Sequence, residues 1–238
     1  MTDLALPRLG RLRRFATRLR RDRSGLALIE FAFAAPLMVT LGMYGLEAAN
    51  LALVNMRISQ ITTNLADTAS RVGLQSSLAL KQIREGDIDD AFTAVILQGG
   101  NYNVTTGGRF ILSSLEQNSS GGQWIHWQRC IGTDTHDSAY GTLTNHSSQG
   151  TGATGTSFAG MGPTGSVITA PASNAVMYVE AWYVYHPLVS SRLFGTPTIH
   201  TEAAFLVRDV RNLTDPNDPV ADTGSVSMVC SKRTSTVS

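Results

Sequence analysis

Hydrophobic and polar positions fall into three textures along the chain. Residues 26–46 form an almost unbroken apolar run of 21 residues. As a helix rising about 1.5 Å per residue, that run matches a hydrocarbon core about 30 Å thick. Pro36, Gly42 and Gly45 sit inside it, and membrane helices tolerate such residues when neighbours re-satisfy the backbone. Residues 47–71 contain neither Pro nor Gly, and Leu51, Val54, Ile58, Ile61, Leu65 and Val72 recur at spacings of 3, 4, 3, 4 and 7, one stripe on one helical face. A further helical pattern is read over residues 78–84. G-D-I-D-D-A-F-T-A-V-I-L then predicts a helix with Asp87 as N-cap and Asp89 and Asp90 in the first turn, where the helix dipole favours acids.

From residue 99 the texture becomes short β-type runs between Gly/Ser/Thr/Asn loops. Strands are predicted over residues 109–115, 123–131, 175–185 and 198–210. In the third, Met177, Val179, Ala181, Tyr183 and Tyr185 are the more uniformly apolar alternate set and are assigned to the inward face. Residues 138–172 are rich in Gly, Ser and Thr and nearly free of charge, which predicts a long surface loop or irregular insertion. The expected class is α+β: a transmembrane and extended N-terminal helix followed by a small antiparallel sheet. Its expected divisions are a leader over 1–25, a membrane segment over 26–46, a helical stalk over 47–98 and a β-rich domain over 99–238.

Charge sharpens this division. Residues 1–25 hold eight Arg against Asp3 and Asp22, which leaves 11 basic and 16 acidic groups, a formal charge of −5, for residues 26–238. A mildly acidic bulk with unclustered Lys and Arg argues against a nucleic-acid partner. The basic block itself could be a nucleic-acid-binding arm, an organellar presequence or the cytoplasmic flank of a membrane segment. Its position decides for the flank, because it stops immediately before the apolar run; the N-terminus is then cytoplasmic and everything after about residue 50 exported. An ordinary secretory signal fits less well: the apolar region is too long, holds Glu30 near its start, and continues through residues 51–54 without a clean small-residue cleavage site.

Within this segment Gly25 is followed by L-A-L-I-E-F, that is Gly, four apolar residues, Glu30 and the aromatic Phe31. The string resembles the processing site of type IV prepilins, above all those of the tight-adherence (Tad/Flp) pilus branch. The wider R-D-R-S-G-L-A-L-I-E-F-A-F-A-A-P-L is similar to the start of TadE-like minor pilins, or pseudopilins, over roughly residues 18–60. Residues 90–238 add only a general likeness to exported pilin domains. The resemblance implies cleavage by a membrane prepilin peptidase between Gly25 and Leu26. It also implies assembly with major and other minor pilins at an inner-membrane assembly platform, for adhesion or biofilm formation. Glu30 would then neutralise the new α-amine of Leu26, on its own chain or a neighbouring one, since an ionisable group inside a membrane helix is costly without a partner. The plainer alternative is a Glu30 solvated at headgroup level.

Cys130 and Cys230 are the only cysteines. In an exported domain an even pair favours a disulfide, which in the chain-entropy model contributes about 4–5 kcal/mol at most for a loop of this size; two free buried thiols are the alternative. Other motifs carry less. G-T-G-A-T-G at 150–155 has the dinucleotide-loop spacing but neither an entering strand nor a departing helix. His126, His136, His146, His186 and His200 show no metal-ligand spacing, and the Asp87/Asp89/Asp90 triplet lacks the ligand pattern of a calcium loop. D-P-N-D-P-V-A-D at 215–222 reads as a turn-rich linker. No nucleophile arrangement or phosphate loop is present, so a non-enzymatic protein without metal or cofactor is expected. The alternative is an exported adhesin or enzyme on an uncleaved single-pass anchor.

Overall fold

The computed structural model describes residues 8–21, 25–76, 79–142, 150–209, 211–213 and 219–237, and the chain divides into two compact units, residues 1–49 and 50–238. In the first, α1 (Arg8–Arg21) is a helix that the sequence reading leaves unassigned. Its Leu, Ala and Arg content favours helix, and Arg18, Arg20 and Arg21 in the last turn suit the negative end of the dipole. Helix α2 (Leu26–Arg71) starts in this unit and runs unbroken through Pro36, which leaves the Ala32 carbonyl without its usual donor. Thr40 donates its hydroxyl to the Pro36 carbonyl at 2.7 Å.

The second unit is built on a four-stranded antiparallel sheet of β3 (Gly108–Gln117), β4 (Gln123–Ile131), β5 (Ala175–Val184) and β6 (Thr198–Leu206), in spatial order β4-β3-β5-β6. A short hairpin, β1 (Leu74–Ser76) with β2 (Ala79–Gln82), precedes it. All four strands expected beyond residue 99 are present. Residues 79–82, by contrast, are strand and not helix: Gly73 sits at φ 128°, and the chain turns back there instead of continuing the helical stripe.

One face of the sheet packs on helices. Val54, Ile58, Ile61 and Leu65 of α2 and Ile88, Phe92 and Val95 of α3 (Glu85–Gly99) form one core with Phe110, Leu112, Trp127, Met177, Val179 and Ala181. The alternation read in β5 therefore points the right set inward. Thr62 and Thr201 share a hydrogen bond of 2.9 Å between α2 and β6, and the buried Arg211 donates to the carbonyls of Ala69 and Val72, closing the C-terminus of α2.

The opposite face is buried too: of the two readings of 138–172, a surface loop or an irregular insertion, residues 138–142 and 150–172 fit the insertion, and 143–149 lie outside the described residues. Leu115, Ile125, Val176 and Tyr178 are covered by Met161 and Ala170, with Tyr140, Phe158 and Ile168 packed around them. Gln123 clasps this cover by bonding both the N–H and the carbonyl of Ala170. Gly150 and Gly152 serve close approach: a Cβ on Gly150 would lie 1.5 Å from the Ile125 carbonyl oxygen. Asn118 donates to the carbonyls of Gly152 and Gly155, so the segment is a backbone-packed turn against β4.

Helix α3 begins earlier than the acidic triplet implies. Arg84 is its N-cap residue, and Asp87 lies in the first turn, accepting the Arg84 N–H at 3.0 Å. Two tertiary contacts move the start. Asp222 accepts the Gly86 N–H at 3.1 Å, supplying a cap from 136 residues away, and Glu85 forms a buried ion pair with Arg129 of β4, at 2.6 Å with both side chains 1% exposed. Removing one partner of such a pair strands a charge, at a cost of about 3–5 kcal/mol, whereas replacing both by apolar residues is close to neutral. Arg129→Ala is therefore expected to lower the unfolding free energy of detergent-solubilised protein by about 3–5 kcal/mol, and Glu85→Leu with Arg129→Met to recover most of it. Chemical denaturation checks this; a single variant within about 0.5 kcal/mol of wild type would show that the pair is not what seats α3.

Candidate functional site

The residues singled out by the processing motif lie at the start of α2. Leu26 is its first residue, Gly25 immediately precedes it, and the Gly25 carbonyl accepts the Ile29 N–H at 3.1 Å. Glu30 stands one helical turn beyond Leu26, next to Phe31, and all of these side chains are exposed. Leu28, Phe33, Leu37, Met38 and Leu41 are exposed as well. This is one helix long and apolar enough to cross a membrane, with none of its most apolar stretch buried within the fold. Arg23, in the basic flank, lies outside the described residues.

Cys130 and Cys230 form a disulfide across 100 residues. It fastens the segment after residue 225 along β4, the edge strand of the sheet. Cys130 N–H donates to the Met228 carbonyl at 2.8 Å and Gly132 N–H to the Thr234 carbonyl at 2.7 Å. The buried Arg109 guanidinium reaches the carbonyls of Cys230 and Gly132 from beneath, and burial lowers its pKa from the ordinary value. Elsewhere in this unit a groove of about 970 Å³ opens between the early turns of its α2 segment and residues 97–107, rimmed by the exposed Leu53, Met56, Leu97 and Leu188.

A second constellation forms on the loop-covered face, and the sequence reading does not anticipate it. In the β5–β6 ladder Glu180 stands directly opposite Glu202, and Trp182 opposite His200. Strand alternation sends all four to the same face. Glu180 is 0% exposed and accepts hydrogen bonds from the Ser138 hydroxyl and, at 2.9 Å, from the Ala139 N–H. Glu202 accepts the Tyr140 hydroxyl at 2.7 Å, and His200 Nε2 lies 3.6 Å from the same Glu202 oxygen. The Trp182 indole is sandwiched between two imidazoles, His200 at 3.8 Å and His136 at 4.5 Å between ring centroids. Donor atoms of Glu180, His200 and Glu202 all fall within 4.8 Å of one another.

The electrostatics follow from burial without a cation. Desolvation drives the Glu180 carboxyl up to about 7, opposed by its two hydrogen bonds and assisted by the Glu202 charge. Burial lowers the His200 pKa below its ordinary value, against the opposing pull of Glu202. Tyr140 is pushed up to about 12 and Tyr178 higher, chiefly by burial, so both remain hydrogen-bonding phenols. His200 carries little signal by spacing along the chain, because only Glu202 shares its strand, while Glu180 and Trp182 come from the paired strand. The signal available was a Glu in each of two adjacent predicted strands, at positions that an antiparallel pairing can bring into register.

Glu180 binds its proton more tightly in the folded chain than in the unfolded one. Its contribution to stability is therefore fully present below its ordinary value near 4.5 and is lost as pH rises through about 7. In the presence of a chelator, full-length protein in detergent is expected to be less stable at pH 8 than at pH 5.5, and Glu180→Gln to flatten that slope. Denaturant midpoints across this range check it; an unchanged slope in the variant would assign the pH dependence elsewhere.

No family model matches the chain, and neither a curated protein nor a solved structure matches it, so its function is argued from its own residues.

Proposed function

We propose that the chain is a TadE-like minor pilin, cut after Gly25 by a prepilin peptidase and assembled through α2 with other pilins of a tight-adherence pilus. The observation that carries the reading is the coincidence of Gly25 with the start of α2: the residue that would become the mature N-terminus, Leu26, is also the first residue of the helix. The long apolar surface that follows suits a helix held first in lipid and later among the helices of other subunits. A disulfide in the 50–238 unit accords with an oxidising compartment, and the Arg-rich flank with a cytoplasmic N-terminus. In this reading the 50–238 unit is the exported, pilin-like body of the subunit.

Glu30 has a specific role in this reading. Cleavage creates an α-ammonium at the positive end of the α2 dipole, an unfavourable position for a cation. A carboxylate one turn along, on the same or an adjacent chain, offsets that charge where water is scarce.

N-terminal sequencing of the protein from membranes is expected to begin at Leu26, and Gly25→Val to leave the leader in place. Glu30→Gln keeps shape and hydrogen-bonding capacity while removing charge; it should still insert and still be cut, yet co-purify with partner pilins several-fold less. An intact leader in the wild type would replace this reading with that of an exported protein on an uncleaved anchor. Normal co-purification of a normally cut Glu30→Gln variant would leave Glu30 a solvated interfacial residue.

A further inference from the structure

We infer that Glu180, His200 and Glu202 form a binding site for a divalent transition-metal ion, zinc by donor set, built into the loop-covered face of the sheet. The geometry begins with the register. Two carboxylates directly opposite each other on antiparallel strands repel, and the repulsion grows as water is removed. Glu180 is wholly buried and Glu202 is half-buried. The groups acting on Glu180 are the Ser138 hydroxyl, the Ala139 N–H and a second carboxylate, with no Lys or Arg among them. The buried carboxylate of Glu85, by contrast, is paired with Arg129. A divalent cation between Glu180 and Glu202 supplies a positive charge where no Lys or Arg is among the groups acting on Glu180.

The third donor identifies the class of ion. The His200 ring is held by stacking on Trp182. Two carboxylates and an imidazole suit zinc and its transition-metal neighbours, whereas calcium asks for six to eight oxygens and magnesium for an octahedron rich in water. Bonds of about 2.0–2.1 Å to a tetrahedral ion place donors about 3.4 Å apart. The present separations, up to 4.8 Å, contract to that value by rotation of His200 and Glu202, which are partly exposed, around a fixed Glu180.

The surroundings resemble the outer shell that metal ligands require. Each carboxylate oxygen has two lone pairs, so the bonds from Ser138 and Ala139 orient Glu180 without exhausting it. Tyr140 does the same for Glu202. The ion would join the edge strand β6 to the central strand β5 and, through residues 138–140, to the cover of the sheet. The exposed side of His200 leaves a coordination position for water or an incoming donor.

The test uses the full chain in detergent, without a histidine tag, stripped by chelator and then equilibrated with Zn²⁺. Bound metal is expected at one per chain by mass spectrometry, with a raised thermal midpoint, and Ca²⁺ or Mg²⁺ should not substitute. His200→Ala, Glu202→Gln and Glu180→Gln should each weaken zinc binding at least about tenfold, while His186→Ala should not. Glu180→Gln keeps the shape of the buried side chain, so loss of zinc with an unchanged far-ultraviolet circular dichroism spectrum separates ligation from folding. Zinc uptake that is absent in the wild type, or equal in the three variants, would overturn the site; uptake lost in His186→Ala but kept in His200→Ala would place the metal elsewhere.

Discussion

The 50–238 unit is organised by a four-stranded sheet that carries a buried core on each of its faces. β5 is flanked by β3 and β6, and its two side-chain sets enter two separate cores. A sheet of this size needs two covers, and the chain supplies them by different means. Helices α2 and α3 bring a conventional apolar stripe to one side. The other is covered by residues 133–142 and 150–171, which form no helix or strand and must satisfy their backbone polar groups as they pack. They do so with glycines at close approaches and with side-chain clasps from Asn118 and Gln123.

This asymmetry explains what the amino-acid pattern reveals. Strands β3 to β6 and the inward set of β5 are legible because alternation and β-branched content are local properties. The stripe on α2 is legible for the same reason, and Ile58 and Ile61 are fully buried as it implies. The packing of residues 138–142 and 150–172 on the sheet is not, because a Gly/Ser/Thr-rich stretch reads alike whether it lies in solvent or on a sheet; the few apolar residues that decide the matter, Phe158, Met161 and Ile168, are too widely spaced to form a period. The start of α3 is misplaced because its cap comes from Asp222 and its first acidic residue is committed to Arg129, both long-range contacts. The segment 215–222, read as a linker, holds at Asp222 a structural anchor; residues 214–218 fall outside the described part.

Two sets of charged groups inside this unit contrast with each other. Glu85 with Arg129 is a closed pair that fixes how a helix meets a strand. The set of Glu180, Glu202 and His200 is open, negative and shaped by hydrogen-bond donors that orient it without neutralising it. The N-terminal candidate site was legible at once, since Gly25, Leu26, Glu30 and Phe31 are contiguous. The second constellation depends on a strand register that no local pattern encodes.

The seam along β4 has a consequence in time. Strand β4 is one edge of the sheet, and residues 226–234 run beside it, taking up the N–H groups of Cys130 and Gly132. Those residues emerge about 100 positions after the edge they protect. At roughly 5–20 residues per second of synthesis, an interval of about 5–20 s separates the two. Throughout it β4 offers unpaired backbone groups and one unpaired thiol to any neighbouring chain in the same condition. The disulfide thus records the end of a vulnerable period as much as it strengthens the finished fold. A nascent chain in transit is the form of this protein most prone to pair with its own kind in the wrong way.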